Sequence, residues 1–323
     1  MIGDQSSSTA PLILGVPQGS ILAPLLFLLY MSPLASIISS HNVSFHFYAD
    51  DIQIYMPLVP PAFGALAALQ NCIYDVKVWL AQNLLNLNED KTEYIVISPH
   101  PAVTMSDLGT YASTCSNTVR NLGVIFDTNF NFDCQIKSVV KTSFYQLRLL
   151  AKVKPFLSRT DLEKAIHAFG MSRLDYCNAL YAGLSQSSLS MLQLVQNAAA
   201  QLLTDTRRYA HITPILASLH WLPMKWRVQF KIVLYVFKAL YGLAPAYLSD
   251  LLSRYLPRRS LRSSAHLALV VPSSRYKKWG GRAFAVYGPV LWNALPLDLR
   301  SITELVPFKS ALKTYFFKQA FYS

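Results

Sequence analysis

Two neighbouring carboxylates, Asp50 and Asp51, stand between two short apolar runs that alternate like strands, Val43-Ser44-Phe45-His46-Phe47 and Ile52-Gln53-Ile54-Tyr55. Such a pattern predicts a β-hairpin with acids at its tip. Oxygen ligands held on a rigid turn suit a hard divalent cation, so the chemistry on offer is metal-assisted. An Asp-Asp turn by itself is commonplace on solvated surfaces; its company gives it weight. Upstream lies Gly15-Val16-Pro17-Gln18-Gly19-Ser20, and downstream lie Asn88-Glu89-Asp90-Lys91-Thr92-Glu93 and Leu122-Gly123.

The elements that must position these residues follow from periodicity. Ser20 is placed to cap a helix running to about Ser39, with Pro24 in its first turn where a missing N–H costs little. Leu66, Leu69, Ile73, Val76 and Leu80 recur at helical spacing and predict a second helix ending near Leu87. Glu93 to Ile97 alternates like a strand, and Val119 to Phe126 reads as another short strand interrupted by Gly123. From Cys134 onward the pattern is helical, and Thr160-Asp161-Leu162-Glu163 reads as a capping box that opens the next helix. The fold class expected is α+β, with a small antiparallel sheet and helices first and a mostly helical part after it.

Charge divides the chain more sharply than its net value of +12 suggests. Residues 1 to 133 hold three basic and ten acidic side chains, and residues 134 to 323 hold twenty-six and seven. An acidic half followed by a basic half suits a metal-dependent enzyme acting on a polyanion. In the first helix of the basic half, Lys137, Lys141, Arg148 and Lys152 fall on one stripe at 100° per residue, opposite Ile136, Val139, Val140, Leu147 and Leu150. That helix can bury one face and offer four cations to phosphates. A solvated surface face is the plainer explanation of one basic stripe. Arg258, Arg259 and Arg262 form a second basic cluster, while the tryptophans near residues 221–226 and 279 read as packing.

Cys72, Cys115, Cys134 and Cys177 show neither metal-ligand spacing nor a disulfide framework, which fits a reducing compartment. The first residues lack the basic start and apolar core of a secretory signal. No Asp, Glu, Lys or Arg lies between Asp4 and Asp50, so a membrane segment within Ile21 to Ile38 rivals a helix buried behind a sheet. Pro24, Pro33 and the interspersed serines argue for the buried helix, and no membrane is expected.

Taken in order, the Gly15 to Ser20 turn, Tyr48-Ala49-Asp50-Asp51, the Asn88 to Glu93 turn and Leu122-Gly123 resemble the palm motifs of reverse transcriptases, specifically those of non-LTR (LINE-type) retrotransposons. The resemblance continues through Ser172-Arg173-Leu174-Asp175-Tyr176-Cys177-Asn178-Ala179-Leu180, Gln196-Asn197-Ala198-Ala199, Leu219-His220-Trp221-Leu222-Pro223 and Leu291-Trp292-Asn293-Ala294-Leu295-Pro296. It implies a partial palm over 1–133, a helical thumb over 134–205 and a basic C-terminal region over 206–323. RNA template and DNA primer are the implied partners, and two Mg²⁺ ions the implied cofactors. Asp50 would be the ligand shared by both ions and Asp51 its weaker neighbour. Tyr48 and Ala49 would lie beside the primer end, Gln18 and Gly19 beside the nucleotide and templating base, and Lys91 near departing pyrophosphate. Leu122 and Gly123 would grip the primer, and the Lys137 to Lys152 helix would follow the hybrid.

The pattern also departs from the family. Its earlier palm strand, with another metal-binding Asp, and its fingers are expected before residue 1, as in a 5′-truncated element. Ala23 stands where a glycine is usual and Gln201 where an arginine is common, and the family's separate endonuclease domain is not expected within these residues. The expectation is a fragment inactive alone, needing a palm and fingers segment in trans, located in nucleus or cytoplasm. A residual nucleic-acid-binding protein without catalysis is the alternative.

Overall fold

The computed structural model describes residues 19–58, 63–97, 113–207, 209–255, 267–274, 276 and 279–322. The chain forms two compact units, Met1–Asn117 and Thr118–Ser323. Together they give the expected α+β content, with two small antiparallel hairpins among many helices in the described residues.

The first unit contains α1 (Ala23–Ser40), β1 (Ser44–Tyr48), β2 (Asp51–Tyr55) and α2 (Phe63–Gln82). The Ser20 hydroxyl accepts from the Ala23 N–H at 3.2 Å, but the helix proper starts only at Ala23. Pro33 sits inside α1 and has no N–H for the Leu29 carbonyl four residues back. The Ser32 hydroxyl takes that carbonyl instead, at 2.8 Å. Asn42, with φ +55°, then turns the chain into β1, a conformation asparagine tolerates better than most residues. Met31, Leu34 and Ile38 pack with Cys72, Val76 and Leu80 of α2, and the hairpin adds Phe45, Phe47, Ile52 and Ile54.

Three expectations need correction here. The first helix is not buried behind a sheet. Leu22, Leu25, Leu26, Leu28, Leu29 and Tyr30 are all exposed, because the two-stranded hairpin is too small to cover more than the helix's C-terminal half. Its 18 residues, at a mean hydropathy of 1.6, meet the length and composition of a membrane span. Helix α2 stops at Gln82, short of Leu87, because Leu84 adopts a left-handed φ of +56° and the Leu85 N–H closes back on the Leu80 carbonyl at 2.9 Å. Glu93 to Ile97 forms no ladder among the described residues, only a single bridge from Tyr94 to Cys115.

The second unit begins with the hairpin β3 (Thr118–Asn121) and β4 (Val124–Asp127), so the expected single strand is two strands with Leu122-Gly123 as their turn. Long helices α3 (Asp133–Val153) and α6 (Gln186–Thr204) pack together through Ile136, Leu147, Leu150, Leu192, Val195 and Ala199. Between them lie α4 (Arg159–Ile166), a π-helical turn over His167–Met171, and α5 (Ser172–Asp175). The cap of α4 is Ser158, two residues earlier than the Thr160 box expected: its hydroxyl accepts from the Asp161 N–H at 3.1 Å and donates to the Asp161 carboxylate at 2.7 Å.

After α7 (Ile212–Ser218) come α8 (Met224–Leu240), α9 (Ala246–Ser249), α10 (Phe284–Asn293), α11 (Leu297–Arg300) and α12 (Leu305–Phe321). A second core forms here, where Phe237 stacks on Phe308 at 4.1 Å beside Trp292 and Leu312. Arg282 fastens this part to the earlier helices. Its guanidinium donates to the carbonyls of Phe130 (2.7 Å), Ala182 (2.8 Å) and Leu180 (3.3 Å), and burial pulls its pKa down.

Candidate functional site

The β1–β2 hairpin pairs Ser44 with Tyr55 through to Tyr48 with Asp51, leaving Ala49 and Asp50 as a two-residue turn. Phe45, Phe47, Ile52 and Ile54 are half-buried toward the helices; Ser44, His46, Tyr48, Asp51, Gln53 and Tyr55 face out. Period-two alternation therefore delivers Asp51 and Tyr48, 67% exposed, to the open face, with Asp50 at the tip. Ala49 carries φ +53°, where hairpins ordinarily place glycine. A non-glycine residue held there stores strain of about 1 kcal/mol, and such strain concentrates at functional sites. On the same face the Tyr55 hydroxyl meets His46 Nε2 at 3.1 Å, with the rings stacked.

Does this tip fit two divalent ions? Mg²⁺ demands near-octahedral oxygen coordination, and a two-ion centre needs ligands from more than one side. Among the described residues no group of three or more His, Cys, Asp or Glu side chains converges. Asp50 and Asp51 are sequence neighbours on one turn, so by themselves they do not make a two-ion centre.

Lys91 lies in a short 3₁₀ turn, Glu89–Lys91, whose cap is Asn88: its side-chain oxygen accepts from the Lys91 N–H at 3.2 Å. The Thr92 hydroxyl donates to the Asn88 carbonyl at 2.9 Å, so this motif is first a local fold. Lys77 braces the turn by an ion pair with Glu89 at 2.6 Å; the contact raises the Lys77 pKa and lowers that of Glu89. Lys91 is exposed, and no ion pair among the described residues joins it to Asp50 or Asp51. Gly19 has φ +86°, which accounts for a glycine there. Gln18 and the preceding Gly15 to Pro17 lie outside the described residues, as do Arg258, Arg259 and Arg262.

In the second unit Asp127 sets the start of α3. Its carboxylate accepts from the backbone N–H groups of Asn129 (3.0 Å), Asn131 (3.0 Å) and Phe132 (2.5 Å), which bends the chain into the helix. Helix α3 then buries Ile136, Val139, Leu147 and Leu150 and exposes Lys137, Lys141, Arg148 and Lys152. Beside the stripe stands Tyr145, 55% exposed, which sequence reasoning passes over; its position one residue from an apolar row was the available signal.

Leu122 and Gly123, at φ +46° and +79°, form the β3–β4 turn, both in the left-handed region that a two-residue hairpin of this kind requires. Leu122 is exposed at its tip.

The later motifs resolve into packing and bracing. Asp175 takes a two-pronged ion pair from Arg227 of α8, with Nε to Oδ1 at 2.9 Å and Nη2 on Oδ2. Gln196, wholly buried, donates to the Leu222 carbonyl at 2.9 Å and accepts from Gln193, whose own oxygen receives the Met224 N–H at 2.8 Å. That network fixes the corner before α8. Asn293 pairs its amide with the N–H and carbonyl of Leu269, both at 2.8 Å, and the Trp292 indole donates to the Leu267 carbonyl at 2.9 Å.

Residues 2–126 match the family described as reverse transcriptase (RNA-dependent DNA polymerase). The matched stretch includes the Asp50 hairpin, the Lys91 turn and the Leu122-Gly123 turn, and it ends within β4. No curated protein and no solved structure matches the chain.

Proposed function

We propose that this chain is part of an RNA-directed DNA polymerase of the non-LTR (LINE-type) retrotransposon kind. The observation that carries the reading is the exposed, strained turn bearing Asp50 and Asp51 inside the stretch that matches reverse transcriptases. The succession of later motifs supports the LINE type. In this reading residues 1–133 are a partial palm, 134–205 a thumb and 206–323 a basic C-terminal region. RNA template and DNA primer are the partners, and the compartment is the nucleus or cytoplasm.

Asp50 and Asp51 would hold Mg²⁺ only together with a further carboxylate, which the reading assigns to a palm and fingers segment acting in trans. The residues of this chain do the remaining work: Tyr48 and Ala49 border the primer end, Lys91 offers positive charge, and the α3 stripe binds phosphates. The chain alone is therefore inactive, or nearly so.

The test is Mg²⁺-dependent extension of a DNA primer on an RNA template by the purified chain, with Asp50→Asn beside it. Absent extension with retained hybrid binding fits this reading and the second one below alike, and extension restored when reverse-transcriptase palm and fingers are supplied in trans supports this one. Extension by the chain alone, abolished in Asp50→Asn, would refute the inactivity and require that another group complete the centre. A second reading, nucleic-acid binding without any catalytic role, is favoured by the exposure of the α3 stripe. Extension that stays absent when reverse-transcriptase palm and fingers are supplied in trans decides for it.

A further inference from the structure

The motif Ser172 to Leu180 has no chemistry of its own, yet one of its side chains reaches a place that does. The Tyr176 hydroxyl donates to the Leu122 carbonyl at 2.6 Å, across 54 residues of sequence. Leu122 is a bulky residue at φ +46° on the tip of a two-residue turn. Such a backbone persists only where its surroundings hold it. Its partner in the turn, Gly123, lies under the Tyr176 ring: a Cβ there would stand 3.8 Å from Tyr176 Cε1.

The rest of the hairpin is secured along β4. Gln135 of α3 accepts the Ile125 N–H at 3.0 Å, and Asp127 closes the chain on the far side of β4. Only Tyr176 among these holds the tip. Tyr176 is itself held, because Asp175 beside it is locked to Arg227 on α8, and that guanidinium is mostly buried.

We infer that Tyr176 is the positioning residue for the Leu122–Gly123 turn, and that Arg227, through Asp175, makes helix α8 the strut behind it. The inference rests on the proposed reading insofar as the turn contacts the primer strand. It gives the region beyond residue 206 a task that needs no ligand: stiffening a contact made elsewhere. The exposed Leu122 tip then meets nucleic acid in one conformation, and binding loses less to ordering it.

The experiment uses the full chain. Tyr176→Phe keeps the ring and removes only the hydroxyl. Hydrogen exchange at the amides of residues 122–124 is expected to rise about 2- to 10-fold, the worth of one net hydrogen bond, with the melting temperature little changed. Affinity for an RNA–DNA hybrid is expected to fall by a similar factor with an unaltered salt slope, since no cation is lost. Arg227→Gln is expected to speed the same amides, and to add little when combined with Tyr176→Phe, because both act through one strut.

Unchanged exchange in Tyr176→Phe overturns the positioning role. Fully additive effects overturn the part given to Arg227. Faster exchange with undiminished hybrid affinity overturns the contact by the turn. Should the unaltered chain bind no hybrid, the proposed function falls, while the exchange data still decide whether the strut exists.

Discussion

Removing the α3 stripe should change how binding responds to salt more than it changes the fold. The four cations span sixteen residues of helix, about 22 Å along its axis, and lie within roughly 60° of one another around it. Each phosphate neutralised releases condensed counterions and contributes about 0.9 to the slope of log affinity against log salt on a duplex. Four contacts amount to a slope of about 3.6, or about a 100-fold loss of affinity between 50 and 200 mM salt that the variant would not suffer. Combined Lys137→Ala, Lys141→Ala, Arg148→Ala and Lys152→Ala should therefore flatten the slope by about three. Helix content should hold, because all four residues are exposed and alanine is the best helix former. The control replaces Lys164, Lys225, Lys309 and Lys313 by alanine, exposed cations scattered over α4, α8 and α12, for the same change in formal charge. Fluorescence anisotropy of a labelled RNA–DNA hybrid at five or so salt concentrations reads all three proteins. Equal flattening by both sets would refute the stripe and leave only net charge.

Other consequences are as open to measurement. Gln196→Leu removes two buried hydrogen bonds and strands the Leu222 carbonyl, so chemical denaturation should report a loss of about 1–3 kcal/mol. Thiol labelling should modify the exposed Cys134 and Cys177 quickly, whereas Cys72, buried and with its pKa raised by burial, should stay protected until the fold opens. A bulky adduct on Cys134, one turn ahead of Lys137 on the same stripe, should also weaken hybrid binding. Asp161 is held below the usual carboxylate range by the Ser158 hydroxyl and Lys164. Its contribution is thus present above the unfolded value near pH 4 and is lost as pH falls through the folded value. Thermal melts of Asp161→Asn beside the parent should converge as pH falls through that lower folded value, and a gap that does not narrow with acidification would contradict the assignment.

How far the sequence disclosed this depended on whether a feature was local. Asp50 and Asp51 were placed on a hairpin tip by alternation alone, and the α3 stripe by counting residues around a helix, because both are set within one element. What failed involved partners. The burial of α1 could not be judged from its apolarity, since that depends on how much sheet lies behind it. The Val119 to Phe126 run read as one strand because a leucine in the left-handed region is not a turn signal, and the Tyr176 hydroxyl that holds its carbonyl lies 54 residues away. Likewise the Asp175 to Arg227 clamp joins residues 52 apart and leaves no periodic trace. The α4 cap was missed by two positions because Ser158 and Thr160 both offer a hydroxyl, and only the backbone shows that the Asp161 N–H meets Ser158.

The uncovered flank of α1 has a bearing on the protein's life in a cell. A row of exposed leucines beside a two-stranded ribbon, with no charged residue between Asp4 and Asp50, is the kind of surface that chaperones retain and quality-control proteases survey. Whatever covers that flank would lengthen the protein's half-life before it altered any reaction, so a pulse-chase experiment would detect a binding partner earlier than an activity assay could.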